Sequence, residues 1–202
     1  MTTNNNRVLY QIKFTLLEIH PSIWRRIQIW EGATLEKLHG TLQIIMGWED
    51  CHLHEFSIGC RIHSVPDTDD DLYERKVIDE RRVQLKEAVS RVATHFEYLY
   101  DFGDSWRHDL QLEAIVIPDP ERTYPCRLAG ERRTPPEDVR GPSGYTEYLE
   151  AMADPGHEEH ENVLRCQGPF DPEAFSLTAV NQRLRKRFHL GRNTASAHNS
   201  PP

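Results

Sequence analysis

The residues best suited to chemistry lie in two short stretches of the chain. Tyr98 to His108 reads Y-L-Y-D-F-G-D-S-W-R-H and gathers five aromatic or imidazole rings, two carboxylates and one glycine. Earlier, His52 and His54 stand two residues apart. On a strand that spacing turns both imidazoles to one face, an arrangement that metal sites use. Together with Asp101, Asp104 and His108 they form a candidate ligand set of imidazoles and carboxylates, which suits Zn, Mn or Fe as a divalent metal. The structural alternative is that these groups hydrogen-bond one another and fix the path of a nearby loop, the commoner fate of clustered polar rings. No other cofactor is implied.

Pro135-Pro136-Glu137-Asp138 offers two more carboxylates on a stiffened loop. They serve either as a clasp, reaching back to Arg25, Arg26 or His108, or as an acid or base at a pocket mouth. The clasp is the preferred reading. With Tyr100 and Trp106, the candidate pocket comprises His52, His54, Tyr100, Asp101, Asp104, Trp106, His108, Glu137 and Asp138.

Other motifs fail on inspection. Asp101-Phe102-Gly103 matches the kinase magnesium triplet in letters, but the chain has no Gly-rich phosphate loop, V-A-I-K strand or H-R-D loop. Phe102-Gly103 reads instead as a turn whose amides bond Asp101 and Asp104. His157 and His160 are three apart, not the four of H-E-x-x-H. Asp154-Pro155 there reads as a helix start, with Glu158 and Glu159 favourable to the dipole. Ser105 lacks a G-x-S-x-G elbow, and no cysteine sits in a nucleophile motif, so acyl transfer is not expected. Arg183, Arg185, Lys186 and Arg187 are candidate phosphate contacts. Against a nucleic-acid role stand the net charge of −8, from 24 basic and 32 acidic residues, and the lack of a known binding module.

These side chains must be positioned by a chain that is 38% hydrophobic and 9% aromatic, ordinary values for a globular protein. Val8 to Glu18 and Ile23 to Trp30 read as strands joined at His20-Pro21-Ser22, with Arg25 and Arg26 marking a solvent-facing side of the second. Thr34 caps a helix with Leu35, Leu38, Leu42 and Ile45 on one stripe, and Gly47 ends it. Leu53 to Ile58 and Arg61 to Ser64 read as a strand pair, Leu85 to Arg91 as a short helix, and His95 to Ile117 as a hairpin. Residues 118–142 hold six prolines and read as an irregular connection. Helix starts are expected at Ser143, Asp154 and Asp171, and a last helix runs over about Ser176 to Phe188.

The expected fold class is α+β: a β-grasp-like mixed sheet with a crossing helix, plus a C-terminal helical layer. One domain spans 1–188, in parts 8–117, 118–142 and 143–188, and 189–202 is expected to be a disordered tail. No signal-peptide core or run of about 18 apolar residues is present, and four cysteines lack a C-x-x-C pair. A cytoplasmic location with reduced thiols is expected.

The blocks I-W-R-R (Ile23–Arg26), M-G-W-E-D-C-H-L-H-E-F (Met46–Phe56), Y-D-F-G-D-S-W-R-H (Tyr100–His108), P-P-E-D, G-Y (Gly144-Tyr145), D-P-G-H (Asp154–His157) and F-D-P (Phe170–Pro172) occur in one order. In this the chain resembles the plasmid pRiA4b ORF-3-like family, also met as a passenger protein of insertion elements. The resemblance covers about Tyr10 to Asn181. It implies an α+β domain carried on plasmids, mobile elements and chromosomes, with no established activity and no catalytic residues to carry over. Many members look like A-C-P-P-E-D-C-G-G, where this chain has Arg133-Thr134 before the motif and Val139-Arg140-Gly141 after it. Both flanking cysteines are absent, and Cys166 stands where a tryptophan is often found, so a zinc site built on those cysteines would fail here.

These readings predict a non-enzymatic accessory domain that recognises a protein or peptide partner. The rivals are a metal-dependent, hydrolase-like enzyme using the His/Asp set and a DNA-binding accessory using the C-terminal arginines.

Overall fold

The computed structural model describes residues 7–67, 76–89 and 94–189. β1 (Leu9–Leu16) and β2 (Trp24–Trp30) alternate buried and half-buried side chains, as strands with one covered face do. They pair antiparallel, Ile12 opposite Ile27. α1 (Leu35–Met46) starts where Thr34 Oγ1 accepts from the Lys37 amide at 3.2 Å. It ends at Gly47, whose φ of 83° lies in the left-handed region that glycine enters freely.

β3 (His54–Ile58) and β4 (Arg61–Ser64) form a hairpin, and β5 (Val77–Asp79) joins β4 in parallel. A 3-10 turn (Glu80–Arg82) and the short α2 (Leu85–Ala88) lead on to β6 (His95–Tyr100) and β7 (Trp106–Val116), the ring-rich hairpin. β8 (Cys126–Glu131) precedes α3 (Gly141–Ala153), α4 (His160–Gln167) and α5 (Leu177–His189). The eight strands lie in the order β5-β4-β3-β6-β7-β1-β2-β8, antiparallel except between β4 and β5.

The fold is therefore α+β on one mixed sheet. Its covered face sends Phe14, Ile27, Phe56, Tyr98 and Leu110 against Leu38, Leu42 and Ile45 of α1 and against Tyr145, Tyr148, Val180 and Leu184 from the C-terminal helices. Each fully buried aliphatic or aromatic side chain here contributes roughly 1.5–3 kcal/mol.

Several local expectations change. The supposedly irregular 118–142 stretch contains β8, an edge strand paired with β2. Its short, Gly-containing sequence carries little alternation, which hid it. Asp154 is the C-cap of α3 rather than an N-cap, its Oδ1 accepting from the Gly156 amide at 2.8 Å, and α4 starts only at His160. Asp171 likewise closes a turn on the Glu173 amide at 2.9 Å, three residues clear of a helix. In both places an Asp-Pro step satisfies a local turn amide without launching a helix. Ser143 lies inside α3, whose N-cap is Arg140. The expected short second helix runs partly into residues 90–93 and the expected tail into 190–202, outside the described residues, as are residues 68–75. No helix among the described residues is long and apolar enough to cross a membrane.

Candidate functional site

β6 and β7 stay paired up to Tyr100 and Trp106, and Asp101 to Ser105 turns the chain. Asp101 (φ 58°) and Ser105 (φ 55°) both enter the left-handed region. Asp101 supports this with its Oδ1, which accepts from the Gly103 amide at 2.9 Å and the Asp104 amide at 3.3 Å. Ser105 N–H donates to Asp101 O at 2.6 Å. Asp104 takes no part in bonding turn amides. Its Oδ2 is buried without a hydrogen-bond partner among the described residues. Gly141, at the start of α3, comes so close that a Cβ there would sit 2.2 Å from the Asp104 carbonyl. Only glycine allows that contact, which seats α3 against the turn.

The Pro135–Asp138 loop closes over this turn as a clasp, with partners other than those expected. Trp48 Nε1 donates to Pro135 O at 3.1 Å, and the Trp48 ring stacks on Tyr100 with centroids 4.9 Å apart. Glu137 Oε2 accepts from the Glu49 amide at 2.8 Å and Oε1 accepts from Tyr100 O–H at 2.6 Å. The Cys51 amide donates to the Tyr100 oxygen at 3.2 Å. Burial, reinforced by the Glu137 carboxylate, holds the Tyr100 hydroxyl far above the ordinary tyrosine range. Partial desolvation and the same carboxylate push the Cys51 thiol up, which works against a thiolate nucleophile. Asp138 Oδ1 lies 3.1 Å from His52 Nε2, and Asp101 Oδ2 lies 3.6 Å from the same nitrogen. Neither Glu137 nor Asp138 bonds Arg25, Arg26 or His108 in these contacts.

The five-residue ligand set does not converge. β3 begins at His54, so His52 sits in the preceding loop, and the two imidazoles part company. His54 is buried, stacked on His39 with centroids 3.4 Å apart and planes 4° apart, and its Nε2 lies 2.9 Å from Glu80 Oε2. His108 is buried under the sheet among Phe14, Tyr98 and Trp48, with Nδ1 3.1 Å from Trp106 O. Burial, with the Arg25 charge adding to it, drives its pKa down to about 4. Trp106 is likewise fully buried. What the structure does bring together is His52, Asp101 and Asp138, whose ligand atoms lie within 4.8 Å of one another; Cys51, His52 and Glu137 form a second such group.

Sequence reading missed His39, Asp50 and Glu80. His39 Nε2 meets Asp50 Oδ1 at 2.7 Å and Nδ1 meets Tyr98 O–H at 2.8 Å, while Gln43 Nε2 donates to that same hydroxyl at 2.9 Å. The Asp50 carboxylate fixes the proton on Nε2, so Nδ1 accepts from Tyr98. Burial and the adjoining His54 lower the His39 pKa. A histidine on the apolar stripe of α1 was the available signal.

It also missed the roles of Arg25 and Arg127. Arg26 faces the open side of the sheet and makes a bidentate pair with Glu113 at 2.6 and 2.8 Å, as a solvent-side arginine should. Arg25, its neighbour, instead points into the covered side and donates to Trp24 O, Glu131 O, Arg132 O and Thr134 Oγ1 at 2.5–3.1 Å. It thereby ties down the chain leading into the Pro-rich loop. Gly130 makes room for it, since a Cβ there would lie 2.7 Å from Arg25 Cδ. Of the basic residues on α5, Arg185 donates to Thr123 Oγ1 at 2.9 Å, Lys186 and Arg187 are exposed, and Arg183 faces a cleft with Arg25 and Arg127.

Residues 8–179 match the family described as plasmid pRiA4b ORF-3-like protein. The chain belongs to this family. Within the pRiA4b ORF-3-like family, it is 38% identical over 177 residues to the uncharacterized protein y4hQ of Sinorhizobium fredii, covering 86% of this chain and 89% of that one. It is also similar to a crystal structure of a protein of unknown function, MM3350 from Methanosarcina mazei Go1. That likeness has a TM-score of 0.78 at 34% identity, covering 86% of this chain and 97% of that one. The family is thus one of uncharacterised proteins, and its members' names assign no chemistry to the clasp.

Proposed function

We propose that this pRiA4b ORF-3-like protein is a non-enzymatic accessory module that recognises a basic, apolar-bearing segment of a protein partner at the mouth of the clasp. One observation carries the reading. Leu53 and Phe102 stand 62% and 42% exposed, and the amide of Asp101, the residue before Phe102, donates to Leu53 O at 2.8 Å. Exposed Glu49 and Asp50 precede Leu53 closely in the chain, and exposed Asp138 meets His52 beside it. Apolar side chains ringed by charge are the usual anatomy of a recognition patch. Of the groups that could act as acid or base, Glu137 has both oxygens accepting hydrogen bonds, and His54 and His108 are buried.

Titrating a Lys/Arg–Leu hexapeptide into isotope-labelled protein tests this. Amide shifts should centre on Leu53, Phe102 and Asp138 and shrink as salt is raised. A Leu53→Ser/Phe102→Ser double variant should lose them while keeping its thermal midpoint. Shifts centred elsewhere, or none at millimolar peptide, would sink the proposal.

A second reading, a divalent cation held by His52, Asp101 and Asp138, is favoured by the closeness of their three ligand atoms. Mixed imidazole and carboxylate donors would accept Zn, Mn or Fe. Elemental analysis of untagged protein decides it: stoichiometric metal that disappears in His52→Ala supports the cation, and metal-free protein excludes it.

A further inference from the structure

Arg25, Arg127, Arg133 and Arg183 line one cleft between the end of α1, the β2–β8 edge, the Pro-rich loop and α5. Its volume of about 790 Å³ is that of a small-molecule site. Arg25 and Arg127 are only 2% and 4% exposed, and the Nε of each is buried with no hydrogen-bond partner among the described residues. Arg25's terminal nitrogens bond three carbonyls and a hydroxyl, and Arg127 Nη2 donates to the Ser176 carbonyl. No carboxylate pairs with any of the four arginines among the described residues. Both buried guanidiniums also approach the Phe175 ring, at 5.3 and 4.3 Å from its centroid, and Arg133 lies over Phe170 at 4.4 Å.

Buried cations held by neutral oxygens and aromatic faces lack the counter-charge that normally offsets desolvation. The strain is visible in both groups. Burial, then the neighbouring Arg127, pulls Arg25 down to about 9, and burial, then Arg183, pulls Arg127 down to about 10. An anion entering the cleft would relieve it, because guanidinium donors fit tetrahedral and planar oxyanions.

We infer that this cleft is an anion site that binds the phosphate-monoester group of a small molecule, with Arg127 and Arg183 donating to its oxygens and Arg25 supplying fixed charge behind them. A dianion matches two buried cations better than a single carboxylate does. Trp48, Phe170 and Phe175 line the same cleft and suit an apolar or aromatic body on the ligand. Glu49, Glu137 and Asp138 line the same cleft, so it presents negative as well as positive charge. Those carboxylates, with the net charge of −8, disfavour a polyanion laid along the cleft. The site shares Glu49 and Asp138 with the rim of the Leu53–Phe102 patch, but its arginines are not part of that patch, and it stands whether or not a peptide binds there.

Isothermal titration of the full chain with phenyl phosphate tests the inference, with benzoate and oligothymidylate as competitors for the assignment. One saturable site is expected, weakened about tenfold or more by Arg127→Gln and by Arg183→Gln, the loss of one charge-assisted bond. Arg183 is exposed, so that variant should keep its thermal midpoint, and Arg183→Lys should retain part of the affinity. No saturable heat at millimolar phenyl phosphate, or affinity unchanged in both glutamine variants, would overturn the site. Benzoate or oligothymidylate binding as tightly as phenyl phosphate would overturn the phosphate-monoester assignment.

Discussion

On one side of the Pro135–Asp138 loop, Glu137 accepts from the Glu49 amide and the Tyr100 hydroxyl, while Asp138 and Asp101 close on His52. On the other side, Arg25 and Arg127 lie buried against Phe175 with neutral partners only. The two regions share residues of one loop and carry opposite charge, but they differ most in how completely their charges are answered. Glu137 at the mouth is spent on holding the loop, so what remains free there is apolar surface with an exposed acidic rim. The arginines of the cleft are also structural, yet their charge is left over. A group that is buried, charged and only half satisfied is where an incoming ligand gains most.

Removing Arg25 should break the comparison outright, because it anchors the start of the shared loop. In Arg25→Met the carbonyls of Trp24, Glu131 and Arg132 lose a charged donor, at roughly 1–3 kcal/mol each, partly offset by no longer burying a cation. A net loss of about 4 kcal/mol is expected in urea unfolding, with the loop amides losing hydrogen-exchange protection on both sides. A variant that stayed as stable as the parent would show that the buried charge costs as much as its bonds contribute.

His108 joins the two regions, edge-on to Trp48 at 5.6 Å and within the field of Arg25. Its pKa is about 4 in the fold against about 6.5 when unfolded, so the neutral form is the native one. Its contribution is complete above about pH 6.5 and is lost as the pH falls towards 4, up to about 3 kcal/mol in all. His39 and His63 are lowered as well and act in the same direction. Urea midpoints from pH 7 to pH 4.5 should fall steeply in the parent and less steeply in His108→Gln. Equal slopes would mean that the acid sensitivity belongs to other buried imidazoles, His39 and His63 among them.

Much of this arrangement could be read in the sequence, and the failures are instructive. α1 was legible because Thr34, a four-residue apolar stripe and Gly47 all agree, and the β6–β7 hairpin because its alternation brackets Asp101–Gly103. The clasp was legible as a role, since prolines with carboxylates suggest a tethered loop, but not in its partners, which depend on the path of 47–53 from α1 into β3. His52 and His54 were misjudged because a spacing of two means one face only within a strand, and β3 begins between them. Arg25 was misjudged because an arginine in an alternating run looks like a solvent-side residue. Burying it requires carbonyls from 131–132, and the strand that brings them there was itself hidden in the Pro-rich stretch.

The smallest effects separate the two carboxylates of the clasp. In Glu137→Gln one end of the new amide is a donor, and it must face either the Glu49 amide or the Tyr100 hydroxyl. The hydroxyl can reverse and accept, whereas the backbone amide cannot, so the tyrosine bond should turn around. The cost should be about 1–2 kcal/mol. With the negative charge gone, the Tyr100 hydroxyl should also ionise at a lower pH, visible in a 295 nm titration. Asp138→Asn is different, because its side chain is 74% exposed and its bond to His52 lies at the surface. That change should stay within about 0.5 kcal/mol and leave the tyrosine titration alone. Equal losses from both variants would mean that general negative charge, rather than two specific acceptors on Glu137, holds the loop over the mouth. The contrast with the arginine cleft would then be one of sign alone.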